Sequence, residues 1–462
     1  MRQLIACATL ALLLGCGTSG GNPGPSGTPD GGTAASGDAA LFAQAKADYD
    51  AKRYSVARGE FQDLLLRFPS STLADQSTVY IAIIDYYLGN PAAARSEIQA
   101  FFTKFPRSAD ADRAQYWLGR CDYALKDYQA ALTDFQAVLA TYPTSNYRDN
   151  AQLWIGRSYY NFTPPDFMKA LDAFKKVVSD FPKGTTAPES QYWIGRTYFE
   201  LKDFVNARSE LGKQLSSYPM SGFEDVVNLY LGRCDFETRQ FAQAKSTLEA
   251  VIRSYPTSQE LDNATYWLGR SDFELADYTG AQMQFQHLLT AWPQSKVADN
   301  AAYWIGRSEF AQNQWMPALM QFQATASNYP MSNVLDWVTL FIGRCQFQLA
   351  DYMAAEVTIT RELTTWPATE AAAGGHYWLG RAQYAQMKLA QALSEFKTVL
   401  AMYPTSDWAD NTYHYLVRTY ADTGDCANAN AAYAMYRTAF PMSQFLSQTC
   451  AYRMMKCAGT CP

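Results

Sequence analysis

One short phrase returns along this chain at a nearly fixed interval, and that interval limits what the chain can fold into. Trp117-Leu118-Gly119-Arg120 reappears as Trp154-Ile155-Gly156-Arg157, Trp193-Ile194-Gly195-Arg196, Tyr230-Leu231-Gly232-Arg233 and Trp267-Leu268-Gly269-Arg270. Trp304-Ile305-Gly306-Arg307, Phe341-Ile342-Gly343-Arg344, Trp378-Leu379-Gly380-Arg381 and Tyr415-Leu416-Val417-Arg418 follow. An aromatic-Pro pair closes each of eleven units, from Phe68-Pro69 to Phe440-Pro441, and the spacing is 37 residues except for 39 between Pro143 and Pro182. The two extra residues fall in Asn161 to Phe167, a lengthened turn. A self-similar unit of this size cannot bury its apolar face alone, so neighbours must stack.

Each unit carries two amphipathic stretches. In the third, Ala114, Trp117, Leu118, Cys121 and Leu125 repeat at helical spacing between about 110 and 125, and Ala131, Phe135, Val138 and Leu139 do so between about 128 and 142. The proline stops the second helix and pushes the preceding aromatic out of helical geometry. Two residues later stands Ser71, Ser108, Ser145, Ser221, Ser258, Ser295, Ser332, Thr369, Ser406 or Ser443, expected to cap the next first helix. One alanine holds the same place in all eleven units, from Ala57 to Ala429. A glycine inside a helix costs roughly 1 kcal/mol against alanine. Eight units accept that cost, which implies a close helix crossing.

The order Leu-Gly, an alanine twelve residues after the glycine, an aromatic such as Phe135 and then Pro143 resembles the tetratricopeptide repeat, over residues 38–441 and with 37 residues in place of the usual 34. The wording is similar to that of BamD-like barrel-assembly lipoproteins and of the Tol-Pal coordinator that binds TolA. The resemblance implies an all-α solenoid of eleven helix-turn-helix repeats with a concave groove, occupying 39–441, and a capping helix with a Cys-rich end at 442–462.

Residues 1–16 read as a signal segment: Arg2, an apolar stretch from Leu4 to Leu14, then Leu13-Leu14-Gly15-Cys16. This end resembles a bacterial lipobox, which implies acylation of Cys16. Residues 17–38, rich in Gly, Ser, Thr and Pro, form an expected flexible tether. Gly17 after the cysteine, by resemblance to lipoprotein sorting, implies the outer membrane with the chain facing the periplasm.

Net charge is -6, so nucleic acid is not expected as a partner. His287, His376 and His414 are scattered and read as structural or solvated. No phosphate loop, nucleophile elbow or metal spacing occurs, so a non-enzymatic chain without cofactor or metal is expected. Cys121, Cys234 and Cys345 read as small buried fillers. Cys426, Cys450, Cys457 and Cys461 crowd the end of an exported chain, which favours disulfides over zinc. Cys426 opens the last second helix, near the far end of the capping helix that carries Cys457, so Cys426-Cys457 and Cys450-Cys461 are the expected pairs.

The nine arginines Arg120, Arg157, Arg196, Arg233, Arg270, Arg307, Arg344, Arg381 and Arg418 must form a line on a regular array. One turn earlier stand Tyr116, Tyr192, Tyr266, Tyr303 and Tyr377 in five of those units. By resemblance to other tetratricopeptide arrays, both positions face the groove. Two readings stand. The arginines bind an envelope protein, an acidic peptide segment or an anionic glycan; or they are structural, stacked on the tyrosine or paired with Glu200, Glu237, Glu274 or Asp422 one turn on. The expected function is a membrane-anchored scaffold in outer-membrane assembly or Tol-Pal-linked division, with polysaccharide binding or export as the alternative.

Overall fold

The aromatic-Pro stops and the polar breaks between amphipathic stretches divide the chain into short helices of nearly uniform length. The computed structural model describes residues 37–457, which include no strand, and divides into two compact units at Cys121 and Asp122. The first unit contains α1 (Gly37–Asp50), α2 (Tyr54–Arg67), α3 (Ala74–Tyr87), α4 (Pro91–Lys104) and most of α5 (Ala111–Ala124). The second begins with α6 (Tyr128–Thr141), α7 (Arg148–Tyr160), α8 (Phe167–Asp180), α9 (Ala187–Glu200), α10 (Phe204–Ser217), α11 (Glu224–Glu237) and α12 (Phe241–Ser254). It continues through α13 (Leu261–Glu274), α14 (Tyr278–Ala291), α15 (Ala298–Ala311), α16 (Trp315–Asn328), α17 (Leu335–Gln348) and α18 (Tyr352–Thr365). Then come α19 (Ala372–Ala385), α20 (Leu389–Met402), α21 (Ala409–Asp422), α22 (Cys426–Ala439) and the last helix, α23 (Leu446–Lys456). Odd-numbered helices open the repeats and even-numbered ones close them. These are tetratricopeptide-like repeats, the all-α solenoid-like class expected. The helix α1 starts at Gly37, inside the last two residues of the expected tether, where the Asp38 carboxylate accepts from the Ala39 N–H and from Ser71 Oγ.

Turn chemistry fixes each hairpin of the second unit. The first helix ends in a left-handed residue, Lys202, Arg239, Ala276, Asn313, Ala350 or Met387, all with φ between 59° and 62°. Asp203, Asp277, Asp351 and Asp425 then cap the second helix, each accepting a hydrogen bond from the N–H three residues on. The 39-residue repeat keeps this cap at Asp166 after a longer loop, from 161 to 166.

The serines do something other than cap. The N-cap positions fall two residues later, at Tyr147, Glu260, Val297, Val334 and Phe445, and none of these forms a side-chain cap. Instead Ser258, Ser295, Ser332 and Ser443 donate to Asp225, Asp262, Asp299 and Asp410, 33 residues back, at 2.5 to 2.6 Å. The same hydroxyls accept from the backbone two residues on. A Ser-Asp bond therefore ties each of these repeats to the one before it. Local sequence could not distinguish this from a cap, because both uses place a hydroxyl just before a helix.

The motif glycines mark the tightest crossings. A Cβ built on Gly306 would lie 2.7 Å from Phe322 Cε1, and one on Gly269 would lie 2.8 Å from Phe285 Cε1. Leu211, Leu248 and Ile359 take the aromatic's place against Gly195, Gly232 and Gly343. The invariant alanines, such as Ala281 and Ala318, are completely buried. We expect Gly306→Ala to lower stability by about 1 kcal/mol, because overpacking of about 1–3 kcal/mol outweighs the gain in helix propensity. A thermal melt no lower than wild type would show that Phe322 can move aside.

Cys121, Cys234 and Cys345 are fully buried and outside any disulfide. Burial pushes the Cys234 and Cys345 thiols up to about 12, so they stay protonated and inert. At the end of the array α23 packs on α21 and α22. It begins at Leu446, inside the segment expected at 442–462 and after Ser443, which is held by Asp410 and Tyr436. Cys426 and Cys457 lie at bonding distance, 2.03 Å, with Cα atoms 5.4 Å apart. Cys450 is buried on α23, whereas Cys16 and Cys461 lie outside the described residues.

Candidate functional site: an arginine-aromatic ladder

First helices of successive repeats approach one another directly, α9 with α11, α11 with α13, α13 with α15, α17 with α19 and α19 with α21. They form the inner row of the second unit, and each carries one motif arginine near its middle.

Every arginine side chain from Arg157 to Arg418 is half-buried, Arg157 against Trp154 and Trp193 and the seven from Arg196 onward among rings from three consecutive repeats. The Arg270 Cζ lies 5.1 Å from the centroid of Phe236 in the repeat before, 5.7 Å from its own Trp267 and 3.9 Å from Trp304 in the repeat after. Arg307 repeats the arrangement with Phe273 at 5.5 Å, Trp304 at 4.8 Å and Phe341 at 4.6 Å. Arg233 does so with Phe199, Tyr230 and Trp267, Arg344 with Phe310, Phe341 and Trp378, and Arg381 with Phe347, Trp378 and Tyr415. Arg196 lies among Tyr160, Trp193 and Tyr230, and Arg418 among Tyr384, Tyr415 and Tyr452. The rings also meet edge to face, as Phe273 and Trp304 do at 4.8 Å. A planar cation over ring faces gains about 0.5–2 kcal/mol, more as water is excluded. In the first unit Arg120 stacks with Tyr86 and Trp117 and donates to the Tyr116 and Tyr86 hydroxyls.

The five tyrosines do not present rings to an open groove. Tyr116, Tyr192, Tyr266, Tyr303 and Tyr377 are 3–7% exposed. What they offer the arginines is the hydroxyl: Arg196, Arg270 and Arg307 donate to Tyr192, Tyr266 and Tyr303 at 3.1, 3.3 and 2.8 Å. Burial pushes the Tyr377 phenol up to about 12, so it stays neutral.

Acidic partners are scarce along the row. From Arg157 to Arg418, only Arg157 has a carboxylate within 4.0 Å among the described residues, Glu189 at 3.2 Å. Glu200 accepts from Tyr160 instead, and Asp422 takes Tyr384, Tyr452 and Lys456. The buried Nε of Arg157, Arg233, Arg270, Arg344, Arg381 and Arg418 has no hydrogen-bond partner. At Arg344, burial and then the charge of Arg307 hold the guanidinium down to about 10, still charged at neutral pH.

One set of ladder residues escaped the sequence reading although its signal was present. An aromatic follows the arginine by three residues in eight successive units, from Tyr123 to Tyr384. From Tyr160 onward, each of these rings stacks on the next unit's arginine.

Of the histidines, His414 is buried against Thr449, and burial, with Arg418 and Arg381 nearby, lowers it to about 4. His376 bonds Glu395 at 2.6 Å, and His287 is exposed. Among the described residues no cluster of three or more His, Cys, Asp or Glu is placed to hold a metal, and no helix is long and apolar enough to cross a membrane.

This arrangement defines a tetratricopeptide-like repeat array whose inner row is cationic. The sequence of that array matches tetratricopeptide models over 81–146 and 150–184 and the YfiO model, an outer membrane lipoprotein, over 185–301 and 295–409. No curated protein is matched significantly. Among solved structures, the C-terminal part of a repeat-containing protein from Cytophaga hutchinsonii is 20% identical, covering 56% of this chain and 98% of its own, with a TM-score of 0.43. A tetratricopeptide repeat protein from Parabacteroides merdae is 15% identical, covering 59% and 98%, with a TM-score of 0.44.

Proposed function

We propose that the chain is a non-enzymatic scaffold of the bacterial cell envelope, anchored in the outer membrane through a lipid on Cys16, whose inner row of first helices binds a partner protein by an acidic segment. The observation that carries this reading is the match to the outer membrane lipoprotein model over 185–409, the stretch that holds Arg196 to Arg381. Stacking occupies the guanidinium faces and leaves for an anion those N–H edges that no tyrosine hydroxyl takes, as at Arg233 and Arg344, and arginine suits a carboxylate better than lysine does. The chain is acidic overall, so a row with one carboxylate partner in eight arginines is a local positive feature. Outer-membrane assembly and Tol-Pal-linked division are the two settings that fit such a scaffold. Binding of an anionic polysaccharide is the second reading, favoured by the aromatic lining between the charges.

Crosslinking in the native envelope separates the two. A captured protein released by rising salt supports the first reading, and retention on an acidic glycan surface without a protein partner supports the second. Binding that ignores salt would overturn both. Labelling with a clickable fatty acid is expected to mark the wild type and not Cys16→Ser; equal labelling would remove the anchor from the proposal. An exported chain is also expected to have Cys426 and Cys457 blocked in a thiol titration of denatured, unreduced protein. Closing that 31-residue separation stabilises the capping helix by about 3 kcal/mol. Two free thiols there would refute the staple.

A further inference from the structure

The methionines are distributed against the usual rule. Methionine ordinarily fills gaps in cores. In this chain all thirteen methionines from Met168 to Met455 are exposed, by 39% to 95%. The core uses Phe, Leu, Ile, Val and Ala instead. The thiols outside disulfides show the opposite pattern: Cys121, Cys234 and Cys345 are fully buried. Oxidisable sulfur is therefore divided by chemistry, with thioethers outside and thiols inside.

The thioethers concentrate on the closing helices of three successive repeats. Met316 and Met320 lie four residues apart on one face of α16, and Met353 and Val357 hold the same positions one repeat on, in α18. Met283 on α14 corresponds to Met320 one repeat back. These five side chains are 52–70% exposed. The helices α14 and α16 contain no Asp, Glu, Lys or Arg, so the strip is uncharged around Met283, Met316 and Met320, and its first charge is Glu356 on α18, which is paired with Lys388.

We propose that the surface methionines, and Met283, Met316, Met320 and Met353 above all, are sites of reversible oxidation that switch this strip from apolar to polar while the fold stays intact. In the forward step a sulfur lone pair attacks one oxygen of a hydroperoxide. The O–O bond breaks, that oxygen remains on sulfur, and water or an alcohol leaves; sulfur loses two electrons and the peroxide gains them. In the reverse step a dithiol reductant becomes a disulfide, and the sulfoxide oxygen departs as water. Exposure makes each sulfur reachable. The absence of methionine from the described core means that a sulfoxide displaces no packing, which is where such oxidation ordinarily does damage.

The experiment treats the full chain with hydrogen peroxide and follows intact mass, thermal unfolding and retention on a hydrophobic-interaction column. Mass should climb in steps of about 16 Da to full conversion of the exposed methionines. Retention should fall while the unfolding midpoint stays within about 2 °C, which corresponds to less than the usual effect of a single core change. A dithiol with methionine sulfoxide reductases should restore retention. The variant Met283→Leu, Met316→Leu, Met320→Leu, Met353→Leu keeps the strip apolar without oxidisable sulfur, so peroxide should leave most of its retention in place. A collapse of the wild-type midpoint on oxidation, unchanged wild-type retention, or an equal loss in the leucine variant would each overturn the proposal.

Discussion

Replacing Arg233, Arg270 and Arg307 together by Gln is expected to lower the stability of the second unit by about 3 kcal/mol and to split its unfolding into more than one transition. Each guanidinium is held between rings of the preceding and following repeats, so each is an inter-repeat contact, worth about 1–2 kcal/mol in a partly desolvated stack. The three effects fall short of simple addition, because Arg233 and Arg270 share Trp267, and Arg270 and Arg307 share Trp304. Stability of a repeat array is a chain of nearest-neighbour interfaces, so weakening the middle ones uncouples the ends. Lysine at the same three positions keeps the charge but not the planar stack. Partner binding that persists in the lysine variant and vanishes in the glutamine variant would assign the row both roles, mortar through its faces and recognition through its charge. A loss of stability below about 0.5 kcal/mol in the glutamine variant would mean that the rings hold one another without the cations.

The opposite sign is expected at Glu362: Glu362→Gln should stabilise the protein, and by more as pH rises. The Glu362 side chain on α18 is fully buried and neither carboxylate oxygen has a hydrogen-bond partner. At the same place stand Thr325 in the repeat before and Val399 in the repeat after, with Leu288 and Val251 further back, none of them charged. The opposing position, alanine or valine at Ala264, Ala301 and Val338, is Gly375 here, and a Cβ there would lie 2.5 Å from Glu362 Oε2. Burial, and then the charge of Asp336, raise this carboxyl from 4.5 to about 8. A raised carboxyl pKa means that the folded state binds the proton more tightly than the unfolded state. The stabilising proton is fully effective below about 4.5 and its contribution is lost as pH climbs to about 8. The glutamine variant should therefore match wild type near pH 4 and exceed it near pH 8 by on the order of 4 kcal/mol. Denaturant midpoints at several pH values test this, and parallel curves for the two proteins would show that Glu362 finds a partner or water in solution.

The fold class, the eleven hairpins and the row of arginines follow from the sequence because they depend on local periodicity. Apolar spacing sets each helix, proline ends it, and a residue repeated once per unit must form a line on a regular stack. The glycine's purpose was legible for the same reason, since an expensive residue in a helix must be repaid by close packing, as Gly306 is by Phe322. What only the tertiary structure decided are relations between repeats. Ser295 reads as a cap until Asp262, 33 residues away, is brought beside it. Tyr303 reads as a groove residue until neighbouring helices cover its ring and leave its hydroxyl to Arg307. The aromatic three residues after each arginine is written plainly in the sequence, yet its partner is the arginine of the next unit, 34 residues on in the regular repeats, as Phe236 is to Arg270. Local pattern specifies each hairpin; the identity of each side chain's neighbour is set by the stacking of one hairpin on the next, where desolvation decides whether a polar group bonds, stacks or is left unpaired.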